Sequence, residues 1–140
     1  SITGEPTEPE VGEISAFLIE ADDAIERASL LGPLAQRIGA CAICPGLGLL
    51  TADHAPADEW ATSFAILESM PWNERRIRAW LREHDGGIVE VKTRGGAVEP
   101  DALQLRLRGD GGTTYTLFVL RIGRAKEAFI TRRVVSGRSA

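Results

Sequence analysis

Cysteine, methionine and aromatic side chains are scarce in this chain. Two cysteines in 140 residues make no disulfide framework. A chain of this length buries about two-thirds of the surface it exposes when unfolded, so it holds a core without staples. No apolar run approaches the roughly 18 residues that a membrane-spanning helix needs. The acidic start, 1–13, lacks both the basic flank and the apolar stretch of a secretory signal. The expectation is a cytoplasmic protein with no membrane partner. The one methionine is Met70 and the chain opens at Ser1, from which we expect a piece of something longer.

The patterns of catalysis are missing as well. There is no H-E-x-x-H, no P-loop, and no serine placed with a histidine and an acid. Cys41 and Cys44 form a C-x-x-C, but a tetrahedral zinc site needs a second ligand pair, and His54 and His84 do not stand at finger spacing. Pro45-Gly46-Leu47-Gly48 follows the pair where a helix N-terminus would be needed to acidify a thiol. We therefore expect reduced, metal-free structural thiols. Gly46-x-Gly48 lacks the third glycine and the acid of a dinucleotide fingerprint and reads as a turn. No catalytic residue, metal ligand or bound cofactor is expected in this segment.

Basic residues are nearly missing from the first half. Residues 1–70 hold twelve Asp or Glu against two Arg, a net charge of -10, whereas 71–140 hold eight acids against fourteen Arg or Lys, a net of +6. Such asymmetry points to an interaction surface on the basic half, with nucleic acid the usual partner.

Residues 1–12, rich in Pro, Gly and Glu, read as a linker. A strand is expected over 14–19, then a helix over 24–31 capped by Asp22. Gly32 and Pro33 interrupt that helix, and Pro33 opens a second one that Gly39 ends. Residues 40–51 carry Pro45, Gly46 and Gly48 and predict one or two short strands about a turn, before a loop over 52–59 and a strand over 62–68. Asn73 caps the clearest helix, which sets Ile77, Trp80, Leu81 and His84 against Arg75, Arg78 and Arg82 and runs to Gly86-Gly87. Residues 88–94 alternate as a strand, Val89, Val91 and Thr93 on one face and Glu90, Lys92 and Arg94 on the other. Glu99-Pro100 starts a short helix that buries Leu103 and Leu107 and closes at Gly109. The strongest strand signal spans 113–121, Gly123 turns a hairpin, and 127–135 returns, leaving 136–140 as a tail. The fold class is α+β, with a segment over 13–70 followed by a helix-strand-helix-hairpin unit over 71–135.

The chemistry that remains is the cluster Arg75, Arg76, Arg78, Arg82, Lys92 and Arg94, one helix-to-strand step long. A guanidinium offers a planar fork to phosphate oxygens, and several charges on one face add a salt-dependent attraction that reads no base. The same pattern fits a solvated helix face, because Glu74, Glu83 and Glu90 dilute the charge. Trp72 and Trp80 read as core rather than as stacking platforms.

Arg78-Ala-Trp-Leu-Arg82, Val89-Glu-Val-Lys-Thr-Arg-Gly95, Val98-Glu-Pro-Asp-Ala-Leu103 and Leu107-Arg-Gly-Asp110, in this order and before a terminal hairpin, carry a likeness. Together they resemble the THUMP-like domain that ends a family of bacterial class I S-adenosylmethionine (SAM)-dependent methyltransferases. Upstream, Phe17-Leu-Ile-Glu-Ala-Asp22, Leu49-Leu-Thr-Ala-Asp53 and Phe64-Ala-Ile-Leu-Glu68 resemble the ferredoxin-like segment that precedes it there. The resemblance implies a ferredoxin-like segment at 13–70 and a THUMP-like domain at 71–135. It also implies a methyltransferase domain upstream in the parent chain, with SAM as the cofactor of that domain. The partner it implies is structured RNA, read through shape and backbone, with Arg75, Arg78, Arg82, Lys92 and Arg94 as the candidate contacts. The function implied is an RNA-recognition accessory region whose catalytic domain lies elsewhere. The competing reading is a protein-interaction or packing module, whose basic face docks the acidic half or the methyltransferase domain.

Overall fold

Residues 2–134 are described by the computed structural model, and they form seven strands and four helices in a mixed α+β fold. The expected tail over 136–140 lies outside the described residues. The chain divides into two compact units, one built from the chain up to Ala65 together with Arg133, the other spanning Ile66–Arg132.

In the first unit, β1 (Phe17–Ala21) is central. It pairs antiparallel with β3 (Leu49–Ala52) and with the start of β4 (Ala61–Pro71), so that Leu18 stands opposite both Thr51 and Phe64. The two-residue β2 (Cys41–Ala42) extends β3. Strand alternation sends Ile19, Ala21, Leu50, Ala52 and Ala61 to one face, where they meet Ile25 of α1 (Asp23–Arg27) and Leu34, Ala35 and Ile38 of α2 (Leu31–Ile38). Glu10 and Gly12 flank Ala42 with two backbone hydrogen bonds, of 2.6 and 2.9 Å.

Asp22 caps α1 as expected, its Oδ1 accepting from the Ala24 amide at 2.9 Å. The helix is shorter than the expected 24–31 because Ser29 takes a left-handed φ of 59° and Leu30 N–H turns back to the Ile25 carbonyl. Pro33 then falls in the first turn of α2, where a missing N–H costs nothing, and Gly39 ends that helix at φ 71°. The strand expected over 14–19 begins only at Phe17, since the Ser15 amide bonds to the Thr51 hydroxyl rather than to a ladder carbonyl.

In the second unit the end of β4 lies beside β7 (Ala125–Arg133), in the order β4-β7-β6-β5, with β5 (Gly86–Arg94) at the edge and β6 (Thr113–Ile122) inside. β5 and β6 run parallel, Val91 beside Leu117, and β6 meets β7 antiparallel across the expected turn, Gly123 at φ 63°. A parallel pair needs a crossover, and α4 (Pro100–Leu107) provides it. Val89, Val91, Tyr115, Leu117, Val119, Ala128 and Ile130 form one face of this sheet. Ile77 and Leu81 of α3 (Glu74–Glu83) and Leu103 and Leu107 of α4 pack on it. Gln104 accepts from the Val91 amide at 2.8 Å and so satisfies part of the open edge of β5.

Several boundaries depart from expectation, and β7 begins at Ala125 rather than at residue 127. β4 continues to Pro71, and the Trp72 amide still bonds to the Lys126 carbonyl. α4 ends at Leu107 with Arg108, not Gly109, as its cap. α3 stops at Glu83, Asp85 takes φ 59°, and Gly86 and Gly87 open β5 instead of ending the helix. The reason for the last two is a close backbone contact. Gly109 N–H donates to Gly87 and Gly111 N–H to Gly86, both at 3.0 Å. A Cβ on Gly87 would strike the Gly111 carbonyl, and one on Gly111 would strike Asp85.

The contact sets a contrast between neighbouring glycines. Gly87→Ala must push two backbone segments apart and should cost about 2 kcal/mol, as overpacking does. At Gly112 an added Cβ meets only the Asp85 carboxylate at 3.6 Å, so Gly112→Ala should stay within about 0.5 kcal/mol. Urea unfolding of the two variants measures the difference, and equal losses would contradict the contact.

A second expectation concerns His54. Its Nδ1 lies 2.9 Å from Asp53 Oδ1 and its Nε2 lies 3.0 Å from the Ile38 carbonyl in the last turn of α2. With an acceptor at each nitrogen, the Asp53 hydrogen bond first and the Ile38 carbonyl second hold the imidazole pKa above its ordinary value. A raised folded-state pKa contributes stability that is complete below the unfolded histidine pKa and disappears as pH rises through the folded one. His54→Gln should therefore lose stability relative to wild type at pH 5 and not at pH 9, and an NMR titration should place His54 above an unstructured histidine.

Candidate nucleic-acid interface

Asn73 accepts from the Arg76 amide at 3.1 Å and starts α3, so the arginines of the helix have fixed positions. Ile77 and Leu81 point into the core. Arg75, Arg78 and Arg82, at i, i+3 and i+7, share one stripe; Arg75 and Arg82 are exposed and Arg78 is half-buried.

Glu74 organises the start of this stripe. Its carboxylate accepts from Arg78 at 2.8 Å and, through both oxygens, from Arg106 of α4 at 3.0 and 3.1 Å. Hydrogen bonding from Arg106, reinforced by the charges of Arg106 and Arg78, holds Glu74 below the usual carboxylate range despite some desolvation. The same bond raises the Arg106 pKa.

Beyond this carboxylate, a cleft of about 760 Å³ runs between the C-terminal ends of α3 and α4. Arg78, Arg82, Arg106 and Arg108 line it, together with Asp85 and Asp110. Leu81, Leu107 and glycines 86, 109 and 111 complete its walls. Asp85 is engaged by the Thr113 hydroxyl at 3.2 Å. Among the described residues, Arg82 and Arg108 make no ion pair.

Lys92 and Arg94 do not join this group. In the register of β5 and β6, Lys92 stands beside Phe118 and Arg94 beside Leu120, whereas α3 and α4 pack on the face of Val91, Leu117 and Val119. The two basic residues therefore lie on the opposite face of the sheet. Lys92 Nζ is 4.0 Å from Glu90, and Arg94 donates to the Thr93 carbonyl at 3.1 Å. The structure brings Arg78 and Arg82 together with Arg106 and Arg108, which the sequence reading passed over. Their signal was a basic pair flanking the buried Leu107, next to a glycine turn that had to meet another glycine pair.

Trp72 and Trp80 pack against the core, as expected. Trp80 also stacks on His84 at 3.8 Å and meets Tyr115 edge-on at 5.4 Å, while the Tyr115 hydroxyl donates to the His84 carbonyl at 2.6 Å. Cys41 and Cys44 are free thiols, and among the described residues no three His, Cys, Asp or Glu side chains gather as metal ligands. No described helix is long and apolar enough to cross a membrane.

The family model for the THUMP domain-like family matches residues 61–133, more than half of the chain. The chain belongs to the THUMP domain-like family. Two Mycobacterium tuberculosis proteins are each 32% identical to it over 130 residues: the uncharacterized S-adenosylmethionine-dependent methyltransferases MT3122 (strain CDC 1551 / Oshkosh) and Rv3037c (strain ATCC 25618 / H37Rv). The match takes in 93% of this chain and 36% of theirs, so the chain spans about a third of the length of the curated relatives it matches. A crystal structure of a Porphyromonas gingivalis W83 protein described as a methyltransferase has the same fold, with a TM-score of 0.70 at 18% identity, over 91% of this chain and 32% of that one. The THUMP-like match contains α3, α4 and the whole arginine cleft.

The Glu74–Arg106 pair joins the two helices of the THUMP-like region, and its pH dependence has a definite sign. A depressed carboxylate pKa contributes stability that is complete above the ordinary glutamate range and is lost as pH falls through the folded value. Arg106→Gln should move the Glu74 titration, followed by carboxyl ¹³C shifts, back toward an ordinary glutamate. Its stability deficit at pH 7 should be small, because exposed pairs are screened, and should vanish at acid pH. An unmoved Glu74 titration would contradict the bidentate geometry.

Proposed function

We propose that this chain is the RNA-recognition accessory region of a SAM-dependent RNA methyltransferase, with the catalytic domain and its SAM site upstream in the parent chain. The relatives' names supply the methyltransferase part of this reading, and most of their length lies outside the matched region. The observation that carries the RNA part is the arginine stripe on α3 within a THUMP-like domain, in a half of the chain whose net charge is +6. In this reading 1–12 is a linker, 13–70 a ferredoxin-like segment and 71–135 the THUMP-like domain, working in the cytoplasm. Arg75, Arg78 and Arg82 contact RNA phosphates from the helix, and Lys92 and Arg94 act from the other sheet face.

Phosphate contacts position an RNA without specifying its sequence. Replacing Arg75, Arg78 and Arg82 by Ala in the parent chain should therefore weaken binding of unrelated RNAs alike. It should lower the slope of log affinity against log salt by roughly 2 units, at about 0.7–0.9 per lost phosphate contact. Affinity and slope both unchanged in the triple variant would remove the RNA face and favour the packing reading.

A further inference from the structure

Four guanidiniums line the cleft between α3 and α4, but they are not equivalent. Arg78 and Arg106 are held by Glu74, whereas Arg82 and Arg108 have no carboxylate partner among the described residues. Arg82 lies in the last turn of α3 and Arg108 caps the end of α4, and the Gly87–Gly109 and Gly86–Gly111 hydrogen bonds fix those two helix ends beside each other. A pair of unpaired guanidiniums on a rigid frame is pre-organised for a tetrahedral anion, because each fork can take two oxygens.

The rest of the lining limits what the anion can be. Asp85 and Asp110 also face the cleft, and both helices turn their C-terminal, partially negative ends toward it. A continuous run of phosphates would be repelled there. A single phosphate with hydrogen-bond donors beside it is accommodated at both ends, since the Asp110 carboxylate accepts from a hydroxyl. The volume, about 760 Å³, is that of a pocket for a nucleotide-sized ligand. Lys92 and Arg94, on the opposite sheet face, take no part.

We propose that this cleft seats one ribonucleotide unit, its phosphate on Arg82 and Arg108 and its ribose hydroxyl on Asp110. The inference rests on the RNA-binding reading for the source of that unit; the phosphate chemistry is shared with a free phosphate ion. It adds Arg108 and Asp110 to the contact set and leaves Lys92 and Arg94 out of this seat.

The test uses the 140-residue chain with inorganic phosphate, an unstructured 12-nucleotide RNA and the DNA of the same sequence as probes. Arginine side-chain Nε–Hε signals are followed by NMR, and affinities are measured across salt for wild type, Arg82→Gln/Arg108→Gln, Asp110→Ala and the control Arg124→Gln, which removes an exposed charge at the β6–β7 hairpin. Circular dichroism checks that each variant is folded. The proposal expects phosphate and RNA both to move the Arg82 and Arg108 signals. It expects the double variant to lose about tenfold in RNA affinity and roughly 0.7 units of salt slope, as one lost phosphate does on a single strand, with Arg124→Gln changing little. It expects Asp110→Ala to narrow the preference for RNA over DNA, as loss of a 2′-hydroxyl acceptor does. RNA binding with the Arg82 and Arg108 signals unmoved, or equal losses in the double variant and the control, overturns the seat and leaves the RNA reading standing. An Asp110→Ala variant with an unchanged preference overturns the ribose contact. Shifts with inorganic phosphate and no binding of RNA keep the phosphate seat, assign it to a free ion and sink the RNA reading. No shift with any probe and no binding of RNA overturn both.

Discussion

The backbone contact between Gly86-Gly87 and the turn over 109–111 is the constraint on which the rest of the THUMP-like unit depends. A sheet edge ordinarily leaves a row of unpaired amides and carbonyls. Here the start of β5 is closed by the turn that follows α4, and further along Gln104 reaches the Val91 amide. Only residues without a Cβ allow two backbones so near. Two consequences follow in space: α3 must stop before Gly86, and α4 must stop before Gly109. The C-terminal ends of the helices are thereby set side by side, and the arginines near those ends come to share one cleft. Glu74 makes a second tie between the helices through Arg106. Surface ion pairs contribute little to stability, so the glycine contact sets the geometry and the ion pair selects which guanidiniums stay unpaired.

Much of this was legible in the sequence, and the part that was not has a common cause. Asp22, Asn73, Gly39 and Gly123 act through neighbours one to four residues away, and each stands where local rules place it. The alternation over 88–94 also separated Val89 and Val91 from Lys92 and Arg94 correctly. What alternation cannot supply is the face that a helix elsewhere in the chain will cover. α3 and α4 both cover the valine face, so Lys92 and Arg94 part from Arg75, Arg78 and Arg82 although few residues separate them. The same limit hid Arg106 and Arg108, whose relation to Arg78 and Arg82 runs through Glu74 and through a glycine contact more than 20 residues long in sequence.

The early end of α1 has a related origin. Hydrophobic periodicity continued to residue 31, yet Ser29 adopts the left-handed region, which costs a non-glycine residue roughly 1 kcal/mol. The return is the start of α2 at Leu31, which places Leu34, Ala35 and Ile38 over Ile19 and Leu50. Burying those side chains contributes roughly 1.5–3 kcal/mol each for the larger ones. Packing therefore outweighs the local preference, and a turn rich in small and polar residues gives it the place to do so.

Counting arginines overstates how much anion a surface can hold. Of the basic residues on α3 and α4, Arg78 and Arg106 share one carboxylate, and the charge they could offer a ligand is partly committed to holding the helices together. Arg82 and Arg108 sit instead where the unsatisfied carbonyls at the helix ends favour a cation. That placement stabilises each helix end without an ion pair among the described residues, so the guanidinium donors stay available to a ligand in the cleft. The acids beside them, Asp85 and Asp110, make the cleft a mixed surface rather than a uniformly positive one. A mixed surface discriminates: it attracts a phosphate that brings hydroxyl donors and repels a denser array of charge.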